Sequence, residues 1–134
     1  MSGDFSRAVL PDGGHLAYEV HDFTDPWTTP DTVILVHGFT KNRRFWYEWL
    51  PGLSRRYRVI CVDLRGHGDS SPLPPDFAMG LEPFARDLAN FIDVLGLRPA
   101  FLVMAEFTSA VAIELATRHP QQVRGLVLPG FWSN

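Results

Sequence analysis

Four short stretches, residues 32–37, 57–62, 101–104 and 123–128, are dominated by apolar and β-branched side chains. Such runs are expected of strands covered on both faces. Residues 15–21, His15-Leu-Ala-Tyr-Glu-Val-His21, instead alternate apolar with polar, which predicts a half-buried antiparallel strand. Residues 7–11 form a shorter strand candidate, separated from it by the hairpin signal Asp12-Gly13-Gly14. Helical spacing appears between the apolar runs. Leu81, Phe84, Leu88, Phe91, Ile92 and Leu95 predict a helix over 81–95, with Gly96 as its stop. A second helix is expected over 109–119, ended by Pro120, and a short amphipathic one over 44–50, stopped near Pro51-Gly52. Residues 22–31 and 72–79 carry several prolines and read as loops.

Two antiparallel strands followed by alternating buried strands and helices specify an α/β fold with a mostly parallel sheet flanked by helices. At 134 residues the chain is one domain by size. Its net charge of −3 gives no argument for a nucleic-acid partner, and the basic runs 41–44 and 55–56 read as solvated surface. No window is apolar enough for a membrane span or a signal peptide. The single cysteine, Cys61, lies within a buried run, which excludes an intrachain disulfide and suits a reducing compartment, so the expected location is cytoplasmic. A dinucleotide fold would require G-x-G-x-x-G after the first buried strand, where His37-Gly-Phe-Thr-Lys-Asn42 stands instead. His15, His21 and His119 lack metal-ligand spacing, so neither a metal nor another cofactor is expected.

The passage from Ala100 to His119 runs from an apolar strand through an abrupt turn into a helix. Together with His37-Gly38-Phe39-Thr40, Asp63-Leu-Arg-Gly-His-Gly-Asp-Ser70 and Arg118-His-Pro-Gln-Gln-Val-Arg-Gly-Leu-Val-Leu128, it resembles the α/β-hydrolase superfamily, nearest to enol-lactonase and carboxylesterase-like members. The resemblance covers the chain from about Val9 to Leu128 and implies the N-terminal part of a single hydrolase domain. It implies a nucleophile elbow at residues 104–108 and an oxyanion hole made by the backbone amides of Phe39 and Phe107. His37, His67, Asp63 and Asp69 read as residues that fasten loops.

Two departures from the family pattern stand out. The elbow reads Met104-Ala-Glu-Phe-Thr108, with Glu106 where the family carries Ser and no flanking glycine. A carboxylate can attack an alkyl carbon or epoxide, or act as general acid or base. It can equally be an inert group favoured by the start of a helix. Thr108 and Ser109 read as helix caps. The second departure is length: the resemblance places the catalytic acid and His after the strand ending near Leu128. That strand is then expected to be a sheet edge, beside Phe131 and Trp132, where another chain binds. The expected partners are a small-molecule substrate or ligand and either a C-terminal half in trans or a second copy of the chain. Three functions follow: a hydrolase of a small ester, lactone or related substrate using Glu106; a non-catalytic binding relative; or a cofactor-free lyase or oxygenase.

Overall fold

The computed structural model describes residues 4–78, 80–97 and 99–129. Phe131 and Trp132 lie outside them. Six strands form one sheet in the order β1-β2-β4-β3-β5-β6. The strands are β1 (Ser6–Val9), β2 (His15–His21), β3 (Thr32–Val36), β4 (Arg58–Val62), β5 (Ala100–Met104) and β6 (Val123–Val127). β1 and β2 pair antiparallel, as do β2 and β4, and the remaining pairs are parallel.

Period-two alternation explains why the central strands are apolar throughout. Ile34, Val36, Ile60, Val62, Leu102 and Met104 point to one face, where they pack with Phe84, Leu88, Phe91, Ile92, Val111 and Leu115. Those partners come from α2 (Leu81–Val94) and α3 (Ser109–Arg118). Val33, Leu35, Val59, Cys61 and Val103 point to the other face, against Trp46. Trp46 belongs to a 3₁₀ segment, Arg43–Trp49, that runs into the short helix α1 (Leu50–Leu53).

Several expectations shift in detail. Pro51 does not stop a helix at residue 50; it occupies the first turn of α1, where its missing N–H costs nothing. Leu81 is exposed, because it starts α2 rather than facing the sheet. The last strand is the expected edge: among the described residues β6 pairs only with β5, and Val127 is exposed. No described helix is long and apolar enough to cross a membrane.

Candidate active site

β5 carries the chain to the C-terminal end of the parallel strands, and the next few residues reverse it into α3. Ala105 is buried, and Glu106 stands exposed at the tip with φ of +58°. Left-handed backbone is costly for a residue with a Cβ, so the turn must be held from outside. The Glu106 N–H donates to Pro129 O at 3.3 Å, and Thr108 N–H to Ala105 O at 3.2 Å. The Thr108 hydroxyl donates to Ala105 O at 2.6 Å and the Ser109 hydroxyl to Met104 O at 3.2 Å. The two hydroxyls therefore fasten the carbonyls of the turn and do not cap α3. Thr108 already has helical backbone angles, which leave its side chain without a cap hydrogen bond.

Facing this turn is the loop after β3. A Cβ built on Gly38 would lie 2.7 Å from Glu106 Oε2, so the carboxylate rests directly against this glycine. Gly38 O accepts from His37 Nδ1 at 2.7 Å and from Lys41 N–H at 3.1 Å. In a trans peptide the N–H points opposite to the C=O, so the Phe39 N–H is turned away from those donors. It donates to no other described residue. Thr40 next to it is also left-handed, with φ of +71°.

His37 is buried, and both of its nitrogens are committed. Its Nε2 accepts from Leu64 N–H at 3.0 Å, which fixes the proton on Nδ1, where it meets Gly38 O. Burial, together with neighbouring His67, holds His37 down to a pKa of about 4, so it is a neutral strut between two loops. His67 donates from Nδ1 to Arg65 O at 3.1 Å, and its ring lies against His37 and Phe39. Phe39 in turn packs on Phe84 of α2.

Asp63 is the second fastener. Its carboxylate accepts from Arg43 N–H and Arg43 Nη1, both at 2.6 Å, and from Asp69 N–H at 2.9 Å. Gly68 has φ of +51°, and a Cβ there would overlap the Asp63 carboxylate, so the loop closes only on glycine. Arg43 also binds Asp69 Oδ2 at 2.8 Å and Glu19 Oε2 at 2.5 Å, and Tyr47 donates to the same Glu19 oxygen. The reading of residues 41–44 as solvated surface fails at Arg43, which is 2% exposed. Burial opposes its charge, yet the bonds to Asp69, Glu19 and Asp63 outweigh burial and raise its pKa. Arg65 plays a parallel part, joining Asp87 of α2 at 2.8 Å. Cys61 is fully buried, and burial pushes its thiol up to about 12, which leaves it inert at neutral pH.

A family model described as the alpha/beta hydrolase fold matches residues 31–131. The chain belongs to the α/β-hydrolase family. It is 33% identical over 133 residues to 2-hydroxy-6-oxo-2,4-heptadienoate hydrolase of Pseudomonas putida, a match covering 97% of this chain and 46% of that protein. It is 34% identical over 100 residues to a haloalkane dehalogenase of Mesorhizobium japonicum, covering 75% of this chain and 32% of the relative. A solved hydrolase from Pseudomonas aeruginosa superposes with a TM-score of 0.82 at 29% identity, over 100% of this chain and 49% of the other. This α/β-hydrolase chain thus spans less than half the length of each of these proteins.

Of the residues singled out from sequence, Glu106 and the Gly38-Phe39 loop come together, and Phe107 follows Glu106 in the 3₁₀ turn Glu106–Thr108. His37, His67, Asp63 and Asp69 stand beside them as fasteners. Sequence reasoning missed Arg43, Glu19 and Tyr47. The available signal was the excess of carboxylates in the 63–69 loop, which needs a buried cation.

Proposed function

We propose that this chain supplies the N-terminal half of a hydrolase acting on a small ester, lactone or related substrate. Glu106 serves at the nucleophile elbow as nucleophile or as acid/base group, and the amides of Phe39 and Phe107 form the oxyanion hole. The observation that carries the reading is Glu106 itself: exposed, held in left-handed backbone at the end of β5, with its carboxylate against Gly38. Strain of this kind persists where the surrounding structure over-determines it, and it concentrates at functional turns.

With an ester, Glu106 acts by taking a proton from water as the water attacks the carbonyl, while the two amides receive the developing oxyanion. With an epoxide or haloalkane, it attacks carbon directly. A C–O bond to Glu106 forms as the epoxide C–O or carbon–halogen bond breaks, and water then cleaves the resulting ester. The similarity to a haloalkane dehalogenase supports testing that second route.

On the second route a further general base is needed to activate the water that cleaves the ester, and His37 is not free to serve, because both of its nitrogens are engaged. In this reading a partner polypeptide docked along the β6 edge supplies the catalytic His and its acid, and the assembly is cytoplasmic. The test is turnover of ester, lactone, epoxide and haloalkane panels by the assembled protein. Hydrolysis that disappears in Glu106→Gln and Glu106→Ala supports the reading. Hydrolysis unchanged in both removes Glu106 from the mechanism, and saturable binding without turnover would mark a non-catalytic relative.

A further inference from the structure

We propose that the Glu106 carboxylate is a charge gate on the space beside the Phe39 amide, and that Gly38 is the specificity-determining residue that admits it. The gate excludes carboxylate, phosphate and phosphonate groups from the Phe39 amide and leaves that space to neutral carbonyl compounds. The inference rests on the proposal that the space beside the Phe39 amide takes substrate.

Three observations carry it. First, the Phe39 N–H is an oriented donor without a described partner, because Gly38 O on the same peptide is pinned by His37 and by the Lys41 N–H. An unpaired backbone N–H of this kind ordinarily attracts anions. Second, a negative charge already stands against Gly38, the residue before that donor. Oε2 of Glu106 lies 2.7 Å, and Cδ 3.3 Å, from where a Gly38 side chain would begin, yet the carboxylate makes no hydrogen bond with another described residue. It fills the space over Gly38, one residue before the donor, without a described hydrogen-bond partner there. Third, the turn fixes the backbone from which the carboxylate is presented, Glu106 lying at φ of +58° between the Pro129 and Ala105 hydrogen bonds. The imidazole nearest the loop, His37, is held neutral and offers no compensating positive charge.

A second anion entering this space meets like charge at short range, whereas an uncharged carbonyl oxygen meets only the amide. Discrimination of this sort comes from the repulsive element and not from added contacts to the preferred ligand. Glycine at position 38 is what allows it. Any side chain there would collide with the carboxylate and swing it out, a small movement because the colliding atoms are the free end of a flexible side chain.

The probes are butylphosphonate, an anion, and butyl acetate, a neutral ester of similar size. Each is titrated into the ¹⁵N-labelled full chain while the Phe39 amide signal is followed. Glu106→Gln keeps the shape and removes the charge; Gly38→Ala keeps the charge and displaces it. Each variant is expected to tighten butylphosphonate by about tenfold or more, with butyl acetate altered by less than about threefold. Equal response of the wild type and the variants to butylphosphonate, no response included, overturns the gate. Should Gly38→Ala fail to fold, the near-isosteric Glu106→Gln decides alone. If turnover proves independent of Glu106 while the charge selectivity is present, the gate stands and the catalytic reading falls. If turnover depends on Glu106 while phosphonate affinity is unchanged, the catalytic reading stands and the gate falls.

Discussion

His37 and Arg43 sit 6 positions apart in the sequence and hold the same pair of loops, one by being neutral and the other by being charged. His37 has the clearer pH signature. Its pKa falls from 6.5 when unfolded to about 4 when folded, so between those values the unfolded chain binds a proton that the folded chain refuses. Stability is fully present above pH 6.5 and declines as the pH falls through about 4, by on the order of 3 kcal/mol for this one group. Urea unfolding across that range should show a shallower slope in His37→Gln; an identical slope would contradict the strut. Arg43→Met leaves Asp63, Asp69 and Glu19 without their common cation and should cost about 3–5 kcal/mol at pH 7, part of it recovered on acidification. Sequence pattern can mark His37 and Asp63 as fasteners because each lies in a motif with glycines. It cannot mark Arg43, whose neighbours Asn42 and Arg44 are half-buried and exposed and whose partners are 20 and more residues away.

Among the elements, the turn between β5 and α3 matters most for the site. Its existence is legible from the apolar run, the break and the helical spacing that follows. Its tightening is not: Thr108 and Ser109 resemble caps in sequence, yet they bond backward to Ala105 and Met104. The left-handed angle of Glu106 is likewise invisible to periodicity. A left-handed residue with a Cβ costs about 1 kcal/mol relative to glycine, so Glu106→Gly should be more stable than Glu106→Ala by roughly that amount. Chemical denaturation of the two variants reads this directly, with equal midpoints the contrary result. The helical segment after residue 43 outruns its expected end because Pro51 reads as a stop, although proline is tolerated in the first helical turn.

At the scale of the whole molecule, the mostly parallel sheet and its two-sided core follow from the alternation of buried strands and amphipathic helices, whereas the strand order, with β4 between β2 and β3, is not set by that alternation. What covers the β6 edge is not written in these residues, because an edge strand specifies pairing without naming its partner. If another polypeptide docks there, Val127→Lys should reduce assembly in native mass spectrometry while leaving the far-ultraviolet spectrum unchanged. Assembly indifferent to that change would place the contact elsewhere. The most direct test of the central claim compares kcat/KM of the assembled wild type with that of Glu106→Gln on the best substrate. A loss of about 10²–10⁴-fold, with fold and assembly retained, is the predicted result. Equal values in the two proteins would contradict the claim that Glu106 acts in the chemistry.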